Sequence, residues 1–165
     1  MKEDGKSEFW KWAEEKGLIR DVSEAFEKYP VEEEWHKGNA ANYISEPKEI
    51  YDEYSVGDIV FVKKFKYPNG KEGRDHLFVI IDKDNFAITA EYLAMLISSR
   101  LQKTKYDANI LIPKDKINGL EKDSIVKTDA IYHISNSEVL FRIGTVTQGA
   151  INFYLNNYGE NATKQ

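Results

Sequence analysis

Arg74 and His76 stand two residues apart, just ahead of the apolar run LFVIID. Side chains two apart on a strand share a face. There they would set a permanent cation beside an imidazole whose ordinary pKa of about 6.5 suits proton transfer. Further along, LISSR offers Ser98 and Arg100 on one strand face and Ser99 on the other. Arg100 is placed to contact a phosphate, or to sit as a solvated charge at a strand end. His76 also has a plain reading, a half-exposed strand histidine making a hydrogen bond. The chain has no cysteine, which excludes disulfides and thiolate metal sites. His36 and His133 have no partners at metal-ligand spacing, so neither a metal nor a cofactor is expected.

The run KKFKYPNGK interleaves Lys63, Lys64, Lys66 and Lys71 with Phe65 and Tyr67. Basic residues mixed with aromatics suit single-stranded RNA, which presents phosphates and unstacked bases together. The same run also reads as a lysine-rich hairpin kept soluble by its charge.

The elements that must hold these residues are mostly short strands. From Val56 the period is two: Ile59 and Phe61, continuing toward Lys63, share one face, while Val60 and Val62 share the other. KYPNGKEG holds Asn-Gly and a second glycine, a hairpin or loop signal. LFVIID is apolar throughout, as in a strand buried on both faces. Further strands are expected at Ala87–Glu91, Leu96–Ser99, Ala108–Leu111, Ser124–Lys127 and Ile131–Ile134. Thr147 is a candidate N-cap for a closing helix, QGAINFYLNNY. Many short strands with one terminal helix predict a mainly β (α+β) fold, a small and strongly bent barrel.

Residues 1–50 read differently. Ser7 is a plausible N-cap for EFWKWAEEK with Gly17 at its stop, and a second helix runs from about Val22 to Tyr29, ended by Pro30. In VEEEWHKGNAANYI, Gly38 and Asn39 weaken any third helix. Phe9, Trp10, Trp12, Phe26 and Trp35 are too many large aromatics for a free tail, so this segment is expected to pack on something.

The chain has 165 residues, 41% apolar and 31% charged, which fits one soluble domain or a domain with an extension. Residues 1–50 carry 8 Lys+Arg against 13 Asp+Glu, and residues 51–165 carry 15 of each. All net acidity therefore sits in the first third, which argues against a general DNA coater but leaves room for a local basic groove. Residues 1–20 lack the apolar core of a signal peptide, and no apolar run approaches membrane-span length. A cytoplasmic protein is expected.

Taken in order, GDIVFV, GRDHLFVIID, LISSR, GLEKDSIVKTDAIYHI and FRIGT resemble the MazF/PemK-type toxins, small β-barrel ribonucleases, from about Tyr54 to Tyr158. No single piece is specific; their order carries the likeness. The resemblance implies an SH3-like, MazF-type barrel over residues 51–165 with a C-terminal helix. Residues 1–50 are then an added acidic, aromatic-rich helical extension. It also implies an endoribonuclease that needs no metal, in which the 2′-hydroxyl of single-stranded RNA attacks the adjacent phosphate. Arg74 matches the family arginine, whose planar fork suits phosphate oxygens. Ser98 matches the family threonine or serine, a neutral hydroxyl donor. His76 is a departure that adds a third catalytic candidate.

Lys63, Lys64, Lys66, Tyr67, Lys71, Ser99 and Arg100 are the RNA-binding candidates. Asp75 stands where the family usually has proline, and the spacing from Arg74 to VIID is one residue long. A slip of one residue sends Arg74 to the opposite face unless a bulge or a later strand start restores it. Implied partners are an acidic antitoxin and a second copy of the chain, with no membrane. Two alternatives stand: a non-catalytic barrel of the same fold that binds nucleic acid or a protein, and a gyrase-inhibitor-type toxin that uses its C-terminal helix. The acidic extension either lies over the basic groove or is a helical cap packed against one barrel side or a dimer interface.

Overall fold

The computed structural model describes residues 5–28, 53–62, 76–84, 90–98 and 108–163. Helix α1 (Glu8–Glu15) begins where its cap chemistry dictates. The Ser7 hydroxyl accepts the Trp10 N–H at 3.0 Å and donates to the Asp82 carboxylate, so the cap also ties the helix to the sheet. Gly17, at φ +68°, stops it. Leu18 N–H reaches the Ala13 carbonyl at 2.9 Å and Gly17 N–H the Glu14 carbonyl at 3.1 Å, a Schellman arrangement.

The chain then forms β1 (Ile19–Asp21) and turns directly into α2 (Val22–Lys28). Asp21 caps α2 by accepting Ser23 N–H at 2.9 Å, while Glu24 accepts Asp21 N–H at 3.1 Å. The hydrogen bonds from Ser23 hold the Asp21 carboxyl below its ordinary pKa.

The remaining strands are β2 (Asp58–Val62), β3 (His76–Asp84), β4 (Glu91–Ser98), β5 (Asn109–Ile112), β6 (Ser124–Ser135) and β7 (Val139–Thr145), followed by α3 (Gln148–Thr163). Thr147 caps α3 as expected, its hydroxyl accepting Ala150 N–H at 3.1 Å. The expected pairs Ser124–Lys127 and Ile131–Ile134 are one strand, interrupted in its pairing with β4 by a register shift between Ala94 and Leu96. FRIGT, expected to lead into the last helix, is itself most of β7.

The seven strands form one sheet in the order β1-β6-β4-β3-β2-β7, with β5 also on β6. All described pairs are antiparallel except β1 with β6. The expected SH3-like, MazF-type barrel is therefore corrected. The protein is a mixed α+β fold whose sheet is open, with no ladder joining β1 to β7 among the described residues. The outer edge of β6 is not open to β7. That edge is already taken by β5 along Ser124–Lys127 and by β1 along Ile131–His133.

Both sheet faces are covered. On the first, Ile59, Phe61, Leu77, Val79, Leu93, Met95 and Ile97 pack with Trp10 of α1 and with Ile151, Tyr154 and Tyr158 of α3. The second gathers Val60, Val62, Phe78, Ile80, Tyr92, Ala94, Leu96 and Tyr132 with Val22 and Ala25 of α2. Every residue of β2 is buried, so the faces read from its period of two are both core. Within the second face the Tyr92 hydroxyl donates to Asn136 Oδ1 at 2.7 Å and accepts Tyr54 N–H at 3.0 Å. Burial pushes its pKa up to about 12.

Candidate nucleic-acid site

Alternation assigns the side chains of β3, β4 and β6. Leu77 and Ile97 belong to the first face, and so does Val126. His76, Ser98, Ile125 and Lys127 therefore project from the second. The ladders are in register at Val62↔His76, Leu77↔Ile97 and Ser98↔Ile125. One further step along the β3–β4 ladder sets His76 opposite Ser98, a separation of about 4.5–5.5 Å between Cα atoms for directly opposed residues. The irregularity of β3 lies between Ile80 and Asp82, beyond this rung, and leaves the facing of His76 undisturbed. The imidazole and the hydroxyl thus come from separate strands to the same face at the same end of the sheet.

The other predicted residues are close to this end in the chain. Lys63 follows Val62 in the chain, Arg74 precedes His76 by two residues, and Ser99 and Arg100 follow Ser98. Two residues of backbone span at most about 7 Å. Arg74, Lys63, Lys64, Lys66, Tyr67, Lys71, Ser99 and Arg100 themselves lie outside the described residues.

Lys127, which the sequence reading did not single out, lies beside His76 and Ser98. It pairs with Leu96, two residues from Ser98 on β4, so it is the diagonal neighbour of Ser98 across the β4–β6 ladder. His76 and Ser98 are 0% exposed and Lys127 4%. All three are engaged in polar, charge or ring contacts. The signal for Lys127 was available as parity: in SIVKT it alternates with Val126, and a lysine in step with core positions of a buried strand is out of character.

The opposite end of the sheet holds a different constellation. A cavity of 410 Å³ lies there, lined by Lys6, Trp10, Glu14, Asp84, Glu91 and His133. His133 Nε2 sits 3.1 Å from Glu91 Oε2, and its ring meets Trp10 edge-on at 6.2 Å. Among the described residues no group of three His, Asp or Glu is placed to hold a metal ion. Nor, among them, is any helix long and apolar enough to cross a membrane.

A family model described as the PemK-like, MazF-like toxin of type II toxin–antitoxin systems matches residues 55–152. The chain belongs to this family. No curated protein matches it. The matched span runs from the turn before β2 into α3, so it contains His76, Ser98 and Lys127. It leaves α1, β1 and α2 outside, although β1 is part of the sheet.

The turn that opens the PemK/MazF span is built by Gly57, at φ +98°. A Cβ there would lie 2.8 Å from the Val146 carbonyl oxygen. The next residue, Asp58, accepts Ser55 N–H at 2.8 Å, which fixes the start of β2. This is the local reason for the Gly-Asp pair in GDIVFV.

Proposed function

We propose that this protein is the toxin of a type II toxin–antitoxin pair and cuts single-stranded RNA without a metal, in the cytoplasm, where messenger RNA lies. The observation that carries the reading is the juxtaposition of His76 and Ser98 at one end of a PemK/MazF-family sheet, where the lysine-rich run and Arg74 join it. In the reaction a bond forms between the 2′-oxygen and phosphorus and the bond from phosphorus to the 5′-oxygen breaks. The products are a cyclic phosphate and a free 5′-hydroxyl. One proton leaves the 2′-oxygen and one joins the 5′-oxygen, a transfer suited to His76. Ser98 donates to a non-bridging oxygen without adding charge, and Arg74 stabilises the pentavalent phosphate with paired donors. An acidic antitoxin is the natural partner for the basic residues around this end, and a second copy of the chain the natural assembly.

Cleavage of a mixed-sequence RNA in EDTA tests the reading. The wild type should cut, and Arg74→Ala, His76→Ala and Ser98→Ala should each lose about a hundredfold or more in rate. RNA left intact by the wild type refutes catalysis. The complete burial of His76 and Ser98 favours a second reading, in which the same fold binds nucleic acid or a protein without cutting. Binding of RNA with no cleavage product selects it.

A further inference from the structure

A strand edge with uncovered N–H and C=O groups is a template for pairing with another chain. β6 carries such an edge at Ile131–His133, and its sequence suits pairing: Ile131, Tyr132 and Ile134 are strand-favouring types, and all are buried. β1 covers this edge, in register at Ile19↔Ile131, Arg20↔Tyr132 and Asp21↔His133. Yet β1 adds little core of its own, since Ile19 is half-buried and Arg20 and Asp21 are exposed. Its contribution lies in its backbone. The Asp21 N–H is taken by Glu24 at 3.1 Å and so points away from β6. Backbone groups alternate in direction along a strand, so the N–H and C=O of Arg20 are the ones that meet β6.

The two helices beside β1 hold it from both sides of the sheet. Trp10 of α1 is buried in the first face, and Val22 and Ala25 of α2 are buried in the second. Ahead of α1, the Gly5 N–H donates to Asp84 Oδ1 at 2.9 Å. The new outer edge is blunt: three residues long, two of them charged, and running straight into α2. Short length and charge are the features that keep an edge from pairing. Residues 5–28 all lie outside the matched family span.

We infer that residues 5–28 are an intramolecular guard that keeps the β6 edge from pairing with a second copy of this chain. The edge is self-complementary. Two copies laid antiparallel about a two-fold axis at Tyr132 would join their sheets into one. With the guard closed this pairing is shut off, and a dimer of the chain must use another surface. The guard is independent of the RNA-cleaving reading, and its test uses no cleavage.

Arg20→Pro opens the guard selectively, because proline removes the N–H that meets β6 while the buried residues of α1 and α2 remain. Circular dichroism checks folding, sedimentation equilibrium gives the mass over a range of concentrations, and hydrogen exchange follows Ile131–His133. Arg20→Pro should associate about tenfold more tightly than wild type, the worth of one or two ladder hydrogen bonds. In dilute protein the amides of Ile131–His133 that face β1 should exchange faster than in wild type, and they should regain protection as the mass rises. A folded Arg20→Pro with wild-type mass at every concentration overturns the inference. So does association that leaves those amides unprotected. Arg20→Val, which keeps the ladder but removes a charge from the outer edge, decides the case if the proline variant does not fold. It should associate more tightly than wild type, and a wild-type mass overturns the guard.

Discussion

Gly144, the glycine of FRIGT, lies where β7 crosses the turn that precedes β6, and the crossing leaves no room for one added methyl group. A Cβ at Gly144 would stand 2.3 Å from both the carbonyl carbon and the oxygen of Asn118 and 2.5 Å from the Ile117 oxygen. All three are backbone atoms, so no rotamer change relieves the contact. Gly119 meets the same crossing from the other side: its Cβ would lie 2.0 Å from the Ile143 oxygen.

Gly144→Ala must therefore move two backbone segments apart by about 1 Å, a typical overpacking displacement. That separation breaks the hydrogen bond from Thr145 N–H to the Ile117 carbonyl, 3.0 Å long in the native fold. Overpacking of a rigid site costs about 1–3 kcal/mol, and the lost hydrogen bond about 1 kcal/mol. Together they amount to about 3 kcal/mol. For a chain of this size that is a fall in Tm of about 6–12 °C, read by circular dichroism.

Gly159→Ala is the internal control. It lies within α3, and its Cβ would meet nothing within 4 Å. There the change should stabilise by about 0.5–1 kcal/mol through lower chain entropy and better helix propensity. The two substitutions are chemically identical and should shift Tm in opposite directions. A Gly144→Ala protein melting within about 2 °C of wild type would refute the claim that this crossing is rigid.

Two further outcomes follow from the N-terminal segment. Trp10 is 2% exposed and belongs to the first core cluster, so Trp10→Ala should cost about 3–5 kcal/mol; a urea midpoint equal to wild type would show that α1 adds nothing to the fold. Asp82, which accepts the Ser7 hydroxyl, has its pKa raised above 3.8, first by burial and also by the nearby Asp84. The folded state therefore holds the Asp82 proton to a higher pH than the unfolded chain does. Asp82 favours folding at pH values below its unfolded pKa, and that contribution is lost as pH rises through the raised folded value. Asp82→Asn should remove this slope from a plot of Tm against pH, gaining on the wild type as pH rises from about 4 toward neutrality; parallel curves would contradict it.

The features legible in the sequence were those decided locally. Ser7, Gly17 and Thr147 end or start helices through bonds to residues three to five positions away, so the chain itself displays them. The parity of Ile59, Phe61, Val60 and Val62 sorted correctly into two faces for the same reason. What escaped was non-local. Ile19–Asp21 is too short to show a period and becomes a strand only because β6 offers it an edge. That the sheet stays open follows from pairings between strands far apart in the chain, β1 with β6 and β2 with β7, which local periodicity does not display. Lys127 escaped because a charged residue in a strand is ordinarily assigned to solvent, and only the partner strands on both sides of β6 reveal it as interior.

The second face sharpens the functional question. Among its described residues it is a continuous apolar surface along Val60, Phe78, Ile80, Ala94 and Leu96, interrupted at one corner by His76, Ser98 and Lys127. Each polar group held there forgoes hydration that an apolar side chain would not miss. Each is engaged in polar, charge or ring contacts, so removing one of them singly leaves its partner unmet and costs stability. Under the proposed function, the hydroxyl of Ser98 and the imidazole of His76 at this end of the sheet would serve the reacting phosphate. On that reading this corner is where stability yields to catalysis.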